Sequence, residues 1–310
     1  MDPNWVTGFS DVEGCFSVII SITIALKCNV RVSYEINLHT KDIDILHKIT
    51  RGAVPPPGTR GASPGDFFGV GSVYSRPDRK ISVFRITQVK DLIAVVIPHF
   101  SKYPLLSRKR GDFILWSKVV AMMDQKEHLT LNGFLTILSY YAAINIGVSP
   151  KIAQYYPDIK PFNRPVFELP NNLNPYWVSG FVAGDGGFSI GVRPPKSGSS
   201  YEKVDFRFFI TQHSKDVNLM NLFITFFDSG TVYVRSDKFT SRCDFIIQDL
   251  NSIMTKVIPH FDLFPLGNFK QLDYLAFKEA MTIVNSNQHL SSQGLDRIRE
   301  LKSGMNSGRS

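Results

Sequence analysis

The sequence predicts an α+β protein built from two pseudo-symmetric half-domains. Each is ordered helix, two strands, helix, two strands and then helices. Three observations carry this: an internal duplication spanning most of the 310 residues, an apolar helix with a proline start opening each copy, and alternating stretches directly after it. Hydrophobic residues at 43% and aromatics at 12% supply a core for a globular chain.

The duplication is read residue by residue. Asp2, Pro3, Trp5, Val6, Gly8, Phe9, Glu13, Gly14, Phe16 and Ser17 find partners in Asn174, Pro175, Trp177, Val178, Gly180, Phe181, Asp185, Gly186, Phe188 and Ser189. "KDIDIL" from Lys41 answers "KDVNLM" from Lys215, and "GSVYSR" ending at Arg76 answers "GTVYVR" ending at Arg235. "VIPHF" at Val96 returns at Val257, followed by the pairs Pro104 and Pro265, Lys109 and Lys270, Asp112 and Asp273, His128 and His289, Gly133 and Gly294. The spacing between partners shortens along the chain, so the first copy has the longer loops. "AVPPPGTRGASPG" (53–65) is the evident insertion. The half-domains are set at 1–145 and 173–310, with a proline-dotted connector over 146–172.

Within each copy the elements follow in order. Asp2 and Asn174 are N-caps with proline at the first helical position, and Gly14 and Gly186 turn the chain out after Glu13 and Asp185. "SVIISITI" and "VRVSYEINL" alternate as strands, as do "VDFRFFIT" and "CDFIIQDL" in the second copy. "TKDIDILHKITR" and "SKDVNLMNLFITFF" are capped helices, and "SRKRGDFILWSKVVAMM" and "FKQLDYLAFKEAMTIV" are longer amphipathic ones. Final helices begin at Thr130 and Ser291.

Lysine and arginine number 35 against 27 acids, a net charge of +8 that favours a polyanionic partner. Cys15, Cys28 and Cys243 have no metal-ligand spacing and read as thiols in a reducing compartment, with neither zinc nor disulfides. "CFSVIISITIAL" (15–26) is too short to span a bilayer, and no basic segment marks a signal peptide, so a soluble, intracellular protein is expected.

The chemistry starts from an acid placed where a helix disfavours it. An anion in the last helical turn costs about 0.3–1 kcal/mol, and this chain makes the choice twice, at Glu13 and Asp185. Thr7, Gly8 and Asp11 share a helical face, as do Ser179, Gly180, Ala183 and Gly184; small residues at this spacing let two backbones approach. Two carboxylates brought together would repel unless a divalent cation joined them, and Mg²⁺ takes one or two carboxylates, waters and phosphate oxygens. That outlines a phosphodiester-cleaving site.

"VTGFSDVEG" and "VSGFVAGDG" resemble the signature helices of the LAGLIDADG homing endonucleases in their single-chain, two-repeat form. "VIPHFSKYPLL", "VIPHFDLFPL", "FFITQHSKD" and "LKSGMNSGR" resemble the same family as encoded in fungal mitochondrial introns. The resemblance implies αββαββα half-domains, a saddle of two antiparallel sheets over duplex DNA, and signature helices packed at its centre. It assigns the catalytic, metal-binding acids to Glu13 and Asp185 and adds the carbonyls of Val12 and Gly184 as metal ligands. Ala183 departs from the signature where Asp11 keeps an acid, though that is not the catalytic position. The shorter Asp185 makes the metal sites unequal, so unequal nicking of the two strands is expected.

A cation is also expected near the reacting phosphate; Arg76, Arg235, Lys109 and Lys270 are the duplicated candidates, and Arg235 is preferred. His99, His260, His128 and His289 read as packing or capping residues. Outward strand positions supply the DNA surface: Arg31, Ser33, Glu35 and Asn37 in one copy, Lys203, Asp205 and Arg207 in the other. Arg76, Arg79, Lys80, Arg193, Lys196, Arg235 and Lys238 add phosphate contacts. The expectation is a monomeric Mg²⁺-dependent endonuclease, with Mn²⁺ substituting and Ca²⁺ binding without cleavage. It would act in the mitochondrion on an asymmetric target of about 20 bp, two turns at roughly 10 bp each, leaving 3′ overhangs. An intron RNA maturase and a non-cleaving DNA-binding protein of the same fold are the alternatives.

Overall fold

A computed structural model describes residues 1–22, 28–51, 67–145, 147–195, 202–235 and 241–306. The chain divides into two compact units, Met1–Leu169 and Pro170–Ser310. The first opens with α1 (Pro3–Glu13), β1 (Gly14–Ile22), β2 (Cys28–His39), α2 (Ile43–Arg51), β3 (Ser72–Arg76) and β4 (Ile81–Ile86). There follow α3 (Val89–Asp91), α4 (Ile97–Lys102), α5 (Lys109–Asp124), α6 (Leu131–Ala143) and the short α7 (Pro150–Tyr155). The second unit repeats the order with α8 (Pro175–Asp185), β5 (Gly186–Arg193), β6 (Lys203–His213), α9 (Val217–Phe227), β7 (Thr231–Val234) and β8 (Arg242–Ile247). It closes with α10 (Leu250–Ser252), α11 (Ile258–Leu263), α12 (Lys270–Asn285) and α13 (Ser292–Ser303).

Each unit holds one four-stranded antiparallel sheet, β1-β2-β4-β3 in the first and β5-β6-β8-β7 in the second. The period-two alternation decides which face meets the helices. On β2, Val30, Val32, Tyr34, Ile36 and Leu38 point into the core, leaving Arg31 and Asn37 exposed on the other face. The two cores repeat one aromatic cluster. Phe16 sits 5.2 Å from Tyr34 and Trp116 and 5.3 Å from Phe100, while Phe188 sits 5.4 Å from Phe208, 5.6 Å from Phe261 and 5.3 Å from Phe277.

The structure changes two local expectations. "VIPHF" belongs to an extra helical segment ahead of the two expected at the end of each unit, because a π-helical turn at Leu92–Val96 joins α3 to α4; Ile253–Val257 does the same between α10 and α11. Pro98 and Pro259 thereby fall in the first turn of a new segment, where a missing N–H costs little. The strand expected over "CDFIIQDL" stops at Ile247, since the Asp249 carboxylate accepts from Ser252 N at 2.7 Å and starts α10. Gly14 and Gly186 turn the chain out in an extended conformation (φ −70° and −81°). Glycine is needed there for close approach: a Cβ would lie 2.7 Å from the Ser10 carbonyl oxygen at Gly14, and 2.8 Å from that of Val182 at Gly186.

Residues 147–169, read as connector, fold onto the first unit. The Arg164 guanidinium pairs with Asp112 at 2.8 Å and donates to the carbonyls of Ala143 at 2.5 Å and Arg108 at 3.1 Å. Asp112 also accepts from Asn145 N, as Asp273 accepts from Asn306 N in the second unit, both at 3.1 Å. Among the described residues no helix is long and apolar enough to cross a membrane.

Candidate active site

Both repeated helices end as the site requires. Asp2 accepts from Asn4 N, and Asn174 from Tyr176 N and Trp177 N, so each helix starts at a fixed residue and places its acid eleven residues on, at its last position. Glu13 and Asp185 are each half-buried at those ends. Asp185 accepts a short hydrogen bond from the Gln212 side-chain amide on β6. By strand register the first unit's counterpart of Gln212 is Leu38, which offers no donor. Gln212 lies within "FFITQHSKD", but only the pairing of β5 with β6 brings it to the helix end.

Lys109 and Lys270 are the cations the fold delivers here. Lys109 Nζ donates to the Val12 carbonyl at 2.7 Å, and Lys270 Nζ to the carbonyls of Gly184 at 2.6 Å and Val182 at 3.1 Å. Each lysine opens the helix after the "VIPHF" segment, and its ammonium complements the negative helix end one residue before the acid. Arg235, preferred from sequence, is instead locked in the second sheet. Its Nε meets Asp244 at 2.5 Å and its Nη2 at 3.0 Å. Burial pushes the Asp244 carboxyl up, but hydrogen bonds from Arg235 and Thr211 outweigh it and hold the group below the ordinary carboxylate range.

Two hydroxyls of the small-residue stripes bond within their own units. Thr7 Oγ1 donates to the Tyr103 carbonyl and lies 3.1 Å from His99 Nε2; Ser179 Oγ donates to the Phe264 carbonyl and lies 3.2 Å from His260 Nε2. Each hydroxyl has one proton, already given to a carbonyl, so Nε2–H is the donor in both rings. Burial lowers both histidines to about 4. Between pH 6.5 and 4 the unfolded chain therefore binds protons that the folded rings refuse, and stability falls as the pH drops, by roughly 3 kcal/mol per ring once pH 4 is passed. Urea midpoints at pH 7 and 4.5 check this: the wild type should lose stability steeply, and the His99→Gln/His260→Gln variant much less. A wild-type midpoint level across that range would refute it.

The surface residues fall into two groups. Arg31, Asn37, Arg76, Arg79, Lys80, Arg193 and Lys203 are exposed. Ser33 and Glu35 are buried on the outward face beneath Arg85, which meets Glu35 at 2.9 Å, while Ser33 Oγ donates to Glu35 at 2.6 Å. Asp205 pairs with Arg193 at 2.7 Å and Lys203 at 3.1 Å, and Arg207 lies 4.8 Å over the Phe209 ring. Arg85 and Asp244 went unnoticed in the sequence, because cross-strand register alone pairs them with Glu35 and Thr211. Lys196 and Lys238 lie outside the described residues.

A family profile described as LAGLIDADG endonuclease matches residues 6–53, 63–120 and 178–281. Two proteins of Neurospora crassa, "Probable intron-encoded endonuclease 2" and "3", are 33% and 30% identical over 98% and 95% of this chain. The chain spans 65% and 52% of their own lengths. Among solved structures, meganuclease I-SmaMI bound to uncleaveable DNA superposes with a TM-score of 0.89 at 31% identity, covering all of both chains. The homing endonuclease I-GzeII with its DNA target gives 0.87 at 30%, again over all of both chains. The fold of two four-stranded antiparallel sheets with their helices is therefore that of these enzymes.

Proposed function

Because this chain belongs to the LAGLIDADG endonuclease family, we propose that it is a site-specific DNA endonuclease that hydrolyses one phosphodiester in each strand of a long asymmetric duplex target. The observation that carries this reading is the repeated arrangement of an acid closing a helix and a lysine ammonium on a carbonyl one residue before it. A helix end built only for stability would not place Glu13 and Asp185 there.

Glu13 and Asp185 are the residues that would hold a divalent cation, and the carbonyls of Val12 and Gly184 have a second lone pair to add. The donor set is hard oxygen. Carboxylate and carbonyl donors suit an ion that keeps several waters and substrate oxygens, as Mg²⁺ does. When bound, such an ion supplies Lewis-acid polarisation of the phosphate and a lowered pKa for its water. Lys109 and Lys270, rather than Arg235, are assigned to the negative charge that develops on the phosphoryl oxygens. Gln212 orients the Asp185 carboxylate and retains a second N–H for water or substrate. Arg31, Asn37, Arg76, Arg79, Lys80, Arg193, Lys203, Arg207 and Arg235 are assigned to DNA phosphates and base edges, with Ser33, Glu35 and Asp205 fixing the cations beside them.

The enzyme would act as a monomer in mitochondria, leave 3′ overhangs, and accept Mn²⁺ for Mg²⁺ but bind Ca²⁺ unproductively. A solved relative is described as bound to uncleaved DNA in the presence of calcium ions, which supports the last point. The test is selection of cleaved sites from a randomised duplex library in Mg²⁺ and, separately, in Ca²⁺. One enriched asymmetric site cut only in Mg²⁺ is the expected result. Enriched binding with no cutting in either metal would sink the nuclease reading and favour a maturase or a DNA-binding protein.

A further inference from the structure

Asp11 is a buried carboxylate, 3% exposed, that the chemistry above does not use. Its Oδ2 accepts from Leu106 N at 2.9 Å, and its Oδ1 accepts from Ser107 N at 3.0 Å and Ser107 Oγ at 2.7 Å. Ser107 Oγ in turn accepts from Lys109 N at 3.2 Å. A continuous set of hydrogen bonds thus runs from the signature helix to the start of α5, and Lys109 Nζ returns to the same helix at the Val12 carbonyl. Both ends of the lysine are fixed to α1, two residues and one residue before Glu13.

The second unit reaches the same end without an acid. Ala183 stands where Asp11 stands, and Asn268 stands where Ser107 stands. The Asn268 amide donates straight to the Ala183 carbonyl at 2.9 Å. Lys270 is delivered to its helix end all the same. A loop-to-helix tie is present in both units, while its chemistry differs: carboxylate to two backbone N–H groups in one, side-chain amide to a carbonyl in the other.

We propose that Asp11 is a positioning residue for cleavage by the first unit, acting through Ser107 to place Lys109, and that the Ala183–Asn268 contact does this work in the second unit. This rests on the nuclease reading. A carboxylate accepting three hydrogen bonds is a stiff anchor, and a reacting-site cation displaced by about 1 Å loses on the order of 10²-fold in rate.

The test follows single-turnover cutting of a duplex labelled differently on each strand, using the site recovered by selection, with DNA affinity measured in Ca²⁺. Lys109→Ala and Lys270→Ala identify which strand each unit cuts. Asp11→Ala should slow the Lys109-dependent strand by about 10- to 100-fold, leaving the other strand and the affinity unchanged. Adding it to Lys109→Ala should slow that strand no further. Ser107→Ala, a milder change, should slow the same strand and covers the case in which Asp11→Ala fails to fold. Asp11→Ala/Ser107→Asn, which installs the second unit's contact, should restore the rate. Equal slowing of both strands, additive losses with Lys109→Ala, or no recovery in the swap would overturn the proposal. A wild-type protein that cuts neither strand would overturn the nuclease reading instead, and the proposal with it.

Discussion

Glu13→Gln and Asp185→Asn are each expected to stop cleavage, by about 10³-fold or more, while leaving DNA affinity measured without divalent metal unchanged or tighter. Each change keeps the side chain's size and removes the one negative charge its unit offers to a cation at the helix end, so the site loses its ligand rather than its shape. Glu13→Gln should raise stability more than Asp185→Asn, which also weakens the hydrogen bond from Gln212. Each acid opposes the negative end of its helix, and neutralising it recovers about 0.3–1 kcal/mol. Lost activity with a thermal midpoint raised or held is the signature of a residue kept for chemistry. Wild-type cutting by Glu13→Gln would remove Glu13 from the reaction.

Lys109→Ala and Lys270→Ala should each lower the cutting rate by about 10²–10³-fold with affinity for the target little changed, because a cation aimed at developing charge acts in the transition state. These lysines also complement carbonyls at a helix end, so each loss should cost about 1 kcal/mol of stability, opposite in sign to the effect of the acid substitutions. Arginine should not restore the rate. A compact ammonium resting on the one or two carbonyls at a helix end is not reproduced by a wider planar fork with fixed donor directions. Single-turnover rates beside urea midpoints separate the two effects. If Arg235→Ala were the severe variant and both lysine variants cut normally, the assignment of the charge-stabilising role would move back to Arg235.

Much of this molecule is legible in its amino-acid sequence, for identifiable reasons. Duplicated patterns such as Pro3–Gly14 and Pro175–Gly186 record local rules: a capping side chain, a proline start, an apolar face and a residue small enough for the exit. Local rules act between neighbours in the chain, so the repeated helices, the principal strand-forming runs and the candidate acids Glu13 and Asp185 can be read directly. The π turns before Pro98 and Pro259 could not, since a proline in an apolar run signals a break unless the preceding turn is known to widen.

The partners of those acids belong to the tertiary structure. Gln212 meets Asp185 because β5 and β6 pair in one register; Lys109 and Lys270 reach the signature helices from almost a hundred residues away; Asp244, from across a strand pair, holds Arg235 in the sheet. A sequence lists such charges without stating which will lie within 3 Å of one another. Electrostatic and hydrogen-bond energies depend on that distance steeply. The sequence alone therefore determined the duplicated fold and the two candidate acids, and packing decided which lysine reaches each helix end and what holds it there.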